Sequence, residues 1–324
     1  MSITKFLNPK NDYAFKRIFG TKKNQDILIH FINDMLGFSG DGCIQSVTFL
    51  KTDQDPEIAA AKQSSVDVMC TDEVGRQYIV EMQVAKGQGF EKRAQYYAAK
   101  AYSRQLMEKE GYLNLKEIIF VAVTNFVMFP DKADYKSDHV VLDKKTHSHD
   151  LKDFSFTFME LPKFNKSIDQ LSGMVEKWAY FFKHAEETSE DELSKIIGSD
   201  AVIKRAYDEL NRFSWTQAQL NTYEQEEKRE LDDLAIRNQL LADRDQVLAD
   251  RDQVLADRDQ VLADRNQLLA DRNQLLADRD QVLADGRAAG IRELVRAMHK
   301  RGLSIKEITQ YTGLIESEFI GFLE

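Results

Sequence analysis

The chain has 324 residues, of which 43% are hydrophobic and 30% charged, so it can bury a sizeable core and form more than one domain. No run of 18 apolar residues occurs, which excludes a hydrophobic membrane-spanning helix. Its two cysteines, Cys43 and Cys70, exclude a disulfide framework and a four-cysteine zinc site. The start MSITKFLNPKNDYAF lacks the apolar segment of a signal peptide, so we expect a cytoplasmic protein.

The net charge of −10 is unevenly distributed along the chain. Residues 1–187 carry 25 Lys/Arg and 26 Asp/Glu, whereas residues 188–286 carry 13 and 23. The acidity therefore belongs to the later part of the chain and does not exclude DNA as a partner of the first part.

The first half of the sequence alternates between helix and strand patterns. Residues 12–35 have helical spacing, which Gly20 splits and Gly37 ends. A strand is predicted over 44–50, a hairpin over 65–83 and a helix over 89–110. Further strands are predicted over 117–129, 139–143 and 154–161, and everything after Asn165 reads as helix. This order predicts an α/β domain followed by helices.

The hairpin SVDVMCTDEVGRQYIVEMQ carries an acid in each strand. With the turn at 73–75, Asp67 faces Glu81, and directly opposed Cβ atoms lie about 4.5–5.5 Å apart. Two carboxylates at that distance repel each other, and a divalent cation with oxygen ligands removes the conflict. Gln83 is expected beside that cation on the same face. The other face is predicted to be apolar and to carry the opposed pairs Val66–Met82 and Val68–Val80.

An alternative is that these acids merely line the solvent-exposed face of a hairpin. The helix after the hairpin favours the metal site, because it brings basic residues close to the acids. Carboxylates, a metal and a basic rim suit attack on a phosphodiester. The basic side chains of this helix are Lys92, Arg93, Lys100 and Arg104.

The pattern Asp67…Glu81-Met82-Gln83 resembles the PD-(D/E)XK nuclease motif in the variant where Gln replaces lysine. The segments LNPKNDYAFKRIFG, VTNFVMF and GLSIKEITQYTGL resemble the Rpn family of recombination-promoting nucleases and transposases. The resemblance covers nearly all of 1–225 and 287–324. It implies an α/β core like that of restriction endonucleases, with a central mixed sheet flanked by helices, and a metal-dependent DNA endonuclease activity.

The resemblance also implies roles for individual residues. Asp67 and Glu81 would hold Mg²⁺ or Mn²⁺ together with the backbone carbonyl of Met82. Gln83 would orient the attacking water, and Asp12 would be an additional acid near the site. Since Gln is uncharged, a basic side chain such as Lys86 or Lys92 is expected to replace the missing lysine charge. The DNA contacts are assigned to Lys86, Lys92, Arg93, Lys100 and Arg104.

Residues 238–286 are seven copies of a seven-residue unit, NQLLADR or DQVLADR, the last ending in Gly286. They predict a continuous helix of about 74 Å. The period predicts a coiled coil that joins two copies of the chain, with Arg at one of its two core positions. The alternative is a single solvated helix that acts as a spacer.

Four domains are predicted: a nuclease core (1–165), a helical subdomain (166–237), the repeat (238–286) and a small helical module (287–324). The module contains a capping box at Ser304 and Glu307 and half of a helix-turn-helix pattern; we favour a packing role over DNA reading. The alternative function is that of a catalytically inactive DNA-binding or assembly protein that keeps the nuclease fold.

Overall fold

A computed structural model describes residues 4–51, 53–54, 64–85, 87, 89–108, 111–198 and 200–322. The chain forms two compact units, Met1–Ile236 and Arg237–Glu324. The strands are β1 (Val47–Phe49), β2 (Asp53–Gln54), β3 (Ser64–Ser65), β4 (Val68–Asp72), β5 (Gln77–Gln83), β6 (Ile118–Thr124), β7 (Lys136–Val140) and β8 (Phe154–Glu160). The α-helices are α1 (Asp12–Phe19), α2 (Gln25–Leu36), α3 (Phe90–Arg104), α4 (Met174–His184), α5 (Glu190–Ile197), α6 (Ala201–Leu210), α7 (Gln217–Lys300), α8 (Ile305–Thr312) and α9 (Glu316–Phe319).

Six strands form a mixed sheet in the order β1-β4-β5-β6-β8-β7. β5 and β8 both run parallel to β6, and the remaining neighbours are antiparallel. This architecture confirms the predicted mixed sheet flanked by helices. Because the three parallel strands point the same way, their ends lie at one edge, where Gln83, Thr124 and Glu160 are in register.

Helices cover both faces of the sheet. On one face, α1, α2, α4 and α6 pack with strand residues such as Val68, Val80 and Val121. On the other face, α3 packs its alanines over Ile79 and Phe120. The expectation that one hairpin face is left for an ion and only the other joins the core is therefore wrong, since both faces pack against helices.

The helix ends follow the predicted signals near the N-terminus. α1 begins after Asn11, whose side chain accepts hydrogen bonds from two backbone N–H groups. The helix ends at Phe19, before Gly20. α2 ends at Leu36, before Gly37, whose φ of 67° favours glycine. Elsewhere the bounds differ. α3 ends at Arg104 and continues as a 3-10 turn to Glu108, and β7 lies three residues before the predicted 139–143.

In the second unit, α7 continues through the repeat and past Gly286 and Gly290. The predicted end of the helix at Gly286 is wrong, because one glycine costs an exposed helix only about 1 kcal/mol. In the repeat, Gln246 Nε2 donates to Asp250 Oδ1 at 2.7 Å, and all seven copies make this bond. The Arg–Asp ion pairs join chain neighbours instead, as between Arg251 and Asp252 at 2.7 Å. Within the described ranges, no helix is long and apolar enough to cross a membrane.

Candidate active site

The hairpin has the predicted register around Val68–Val80, but β4 begins one residue after Asp67. Asp67 lies on a bend, and its Oδ2 accepts a hydrogen bond from the Met82 N–H at 2.8 Å. Val66 packs in the α3 cluster, not on the face of Val68 and Met82 as predicted. The bend thus aims the Asp67 carboxylate at the backbone of the strand that carries Glu81.

Glu81 is buried and Asp67 is half-buried, with 15% of its side chain exposed. Glu81 is 5% exposed, and its Oε1 has no hydrogen-bond partner among the residues that the structure describes. Burial raises the pKa of Asp67 to about 6, although the Met82 N–H opposes this shift. Burial and then the charge of Asp67 raise the pKa of Glu81 as well. Such a pair holds either a proton or a cation near neutral pH.

Lys16 is a site residue that the sequence analysis missed. Its Nζ lies 2.8 Å from Asp12 Oδ1 and 3.7 Å from Asp67 Oδ1. Burial disfavours its charge, but the hydrogen bond to Asp12 and the nearby carboxylates give Lys16 a raised pKa overall. Asp12 therefore joins the acid pair through Lys16. The available signal was the spacing of four residues between Asp12 and Lys16, which places them on one side of a helix.

Gln83 is hydrogen-bonded at both ends of its amide. Its Oε1 accepts from Arg93 of α3, and its Nε2 donates to the Ala85 carbonyl at 3.2 Å. The Arg93 guanidinium lies 4.9 Å from the centre of the Phe90 ring and 6.0 Å from that of Tyr97. One of the predicted DNA-binding residues is thus in direct contact with the motif.

The other predicted DNA-binding residues are spread along α3. Lys100 and Arg104 follow Arg93 by seven and eleven positions, so the three cations lie in a row on one side of the helix. They are about 10 and 16 Å from Arg93 along the axis. Lys92 is exposed on a different side, and Lys86 lies outside the described residues.

The donor set fits a hard divalent cation that keeps much of its water. No group of three His, Cys, Asp or Glu side chains that could hold a metal occurs in the described part of the chain. Two carboxylates and the Met82 carbonyl are the protein ligands that the motif offers. Mg²⁺ is commonly bound by only one or two carboxylates, with waters and substrate phosphates completing its shell. The unpartnered Glu81 Oε1 is consistent with this use.

Comparison with protein families matches residues 9–239 to a family described as PD-(D/E)XK nuclease family transposase. The matched segment contains the whole six-stranded sheet and helices α1 to α6. Nearly all of the repeat and the C-terminal helices lie outside it. No curated protein and no solved structure matches the chain.

Proposed function

Because the chain belongs to the PD-(D/E)XK nuclease family of transposases, we propose that it is a metal-dependent DNA endonuclease that promotes recombination or transposition-like events. The observation that supports this best is the pair of half-buried Asp67 and buried Glu81, which lies in the matched segment and in which Glu81 Oε1 has no hydrogen-bond partner among the described residues. Two acids that lie close together away from solvent destabilise a fold unless a proton or a cation separates them. A role in function explains why the chain has a pair of residues that lowers its stability.

In this proposal Asp67, Glu81 and the Met82 carbonyl hold Mg²⁺ or Mn²⁺. The cation, when bound, supplies Lewis acidity that activates a water molecule and balances phosphate charge. Hydrolysis joins the water oxygen to phosphorus and breaks the bond from phosphorus to a sugar oxygen, which takes up a proton. Lys16 limits the repulsion between the carboxylates, and Asp12 positions Lys16 through its 2.8 Å contact.

The row Arg93, Lys100 and Arg104 on α3 would follow the DNA backbone away from the acid pair. Successive phosphates of one strand are spaced closely enough for cations one or two helical turns apart to contact them. These contacts carry no sequence information, so we expect DNA binding with little sequence preference through this helix.

The alternative is a DNA-binding or assembly protein without catalysis, and one observation favours it. Gln83 replaces a charged lysine, and both ends of its amide are bonded to protein groups. Plasmid cleavage separates the two functions. We expect the full-length protein to nick supercoiled plasmid with Mg²⁺ or Mn²⁺, and EDTA to abolish nicking.

Cleavage should return when the metal is restored in excess over EDTA. A Glu81→Ala variant purified in parallel excludes a contaminating nuclease if it leaves the plasmid intact. Plasmid that is retarded in a gel yet stays uncut with both metals would instead support the non-catalytic alternative.

We also propose that two copies of the chain associate through the repeat. Its apolar residues recur every seven positions and are exposed; Val247 is 66% and Leu248 is 41% exposed. A stripe of this kind along a continuous helix is typical of a surface that a second helix covers.

Deletion of residues 238–286 is therefore expected to change the molar mass that light scattering measures in solution from that of a dimer to that of a monomer of the shortened chain. The deletion removes seven whole copies and so leaves the flanking sequence on both sides of the repeat unchanged. Deletion of one copy, 245–251, is the matched control and should leave the mass of a dimer. An unchanged oligomeric state after the full deletion would assign the repeat to the spacer alternative.

A further inference from the structure

We infer that Arg93 supplies the positive charge that the motif lysine would supply, and that Gln83 is a positioning residue that holds Arg93. In this inference, which rests on the proposed nuclease function, the guanidinium binds a non-bridging oxygen of the scissile phosphate. Arg93 is then a catalytic residue, and Gln83 acts through it instead of orienting water.

The hydrogen bonds of Gln83 fix the orientation of its amide. A side-chain amide is held in one orientation when protein groups bond both its oxygen and its nitrogen. Gln83 Oε1 accepts from Arg93, and one of the two N–H groups on Nε2 donates to the Ala85 carbonyl at 3.2 Å. The amide thus links the end of β5 to the first turn of α3, which fixes where the guanidinium lies.

The residues around Arg93 hold its guanidinium in place. Phe90 and Tyr97 lie against the guanidinium, and its Nε is buried with no hydrogen-bond partner in the part of the chain that the structure describes. A guanidinium that is fixed in this way is suited to a phosphate, because its planar donors match two phosphate oxygens. Arg93 is also close enough to the acids to affect them. Burial and the charge of Asp67 raise the pKa of Glu81, and the charge of Arg93 opposes this rise.

The other nearby cations are less suited to this role. Lys16 Nζ is 2.8 Å from Asp12 and also faces Asp67, so its charge is used by carboxylates. Lys92, one of the two replacements expected from the sequence, is exposed on a different side of α3. Arg93 is therefore the described cation that is both next to Gln83 and fixed in place.

A double-mutant cycle tests the two roles with single-turnover plasmid cleavage in Mg²⁺. Arg93→Ala is expected to lower the rate roughly 100-fold, as for loss of a donor to transition-state charge. Gln83→Ala is expected to lower it about 10-fold in the natural sequence and by less than about 2-fold in the Arg93→Ala background. An equal loss in both backgrounds would mean that Gln83 acts on its own, and would overturn the inference. Cleavage by Arg93→Ala at the natural rate would overturn it as well.

DNA binding in EDTA gives a readout that does not need catalysis. The slope of log affinity against log salt should become shallower by about one unit in Arg93→Ala, as for loss of one phosphate contact. Lys195→Ala, which removes an exposed cation from α5, is the matched control and should leave the slope unchanged. If Arg93→Ala does not fold, Arg93→Gln takes its place in both measurements. If the slope of log affinity against log salt is unchanged in Arg93→Ala, Arg93 does not contact phosphate, whether or not the protein cleaves DNA. Absence of cleavage by the natural protein, in contrast, contradicts only the nuclease proposal.

Discussion

The variant Asp67→Asn is expected to lower metal-dependent plasmid cleavage by roughly 10³-fold. Asparagine has nearly the same shape and can still accept the hydrogen bond that Asp67 takes from the Met82 N–H at 2.8 Å. It cannot supply the charge that a divalent cation requires, so loss of activity reports on the cation and not on the fold. The measurement is the initial rate of nicking at saturating Mg²⁺.

Asp41→Asn is the matched control for this variant. Asp41 is exposed in a short 3-10 turn, and its replacement removes one negative charge from the same half of the chain. Its cleavage rate should equal that of the natural protein. If Asp67→Asn cleaves within about 10-fold of the Asp41→Asn rate, Asp67 does not hold the cation.

The metal-free protein is expected to lose stability as the pH rises from about 4 to about 7, and Asp67→Asn should remove much of that loss. Burial raises the pKa of Asp67 to about 6 from the ordinary value of 3.8. Its carboxyl group therefore stabilises the fold fully below pH 4, and this contribution is lost as the pH rises through 6. The difference corresponds to on the order of 3 kcal/mol of unfolding free energy. Glu81 acts in the same direction, since its pKa is raised too.

Urea unfolding followed by tryptophan fluorescence measures this effect in the first unit alone. Trp178 and Trp215, the two tryptophans of the chain, are both buried there, whereas the helical signal of the repeat would mask the change in circular dichroism. The stability difference between Asp67→Asn and the natural protein should grow with pH in EDTA. Saturating Mg²⁺ at pH 8 should stabilise the natural protein and not the variant. A difference that is constant with pH would contradict the raised pKa of Asp67.

Local patterns in the sequence were sufficient for much of the fold. Gly37 ends α2 with a φ of 67° that favours glycine, and Gly20 ends α1 where a Cβ would lie 2.7 Å from the Lys16 carbonyl oxygen. Neither cause depends on distant residues, so these ends were predicted correctly. The register Val68–Val80 follows from the turn at Gly75, whose φ is 90°. The mixed sheet was predicted from the order of elements and from the resemblance to a family.

Features set by contacts between distant residues could not be predicted. The bend at Asp67 depends on the Met82 N–H and on Lys16 of α1, which is 51 positions earlier in the chain. The bond from Arg93 to Gln83 spans a strand end, a loop and a helix, and no spacing rule covers such a path. β7 is an edge strand, and its alternation is too weak to fix its limits, which explains the error of three residues.

The bond from Gln to Asp within each copy of the repeat has a consequence for how the gene can change. Every copy closes its own hydrogen bond, so gain or loss of a copy through unequal crossing-over leaves the bonds of the remaining copies intact. Each event would change the distance between the two ends of the array by about 10.5 Å and turn one end by about 20° relative to the other. Array length can therefore change in whole steps of one copy while the helix of the remaining copies keeps its bonds.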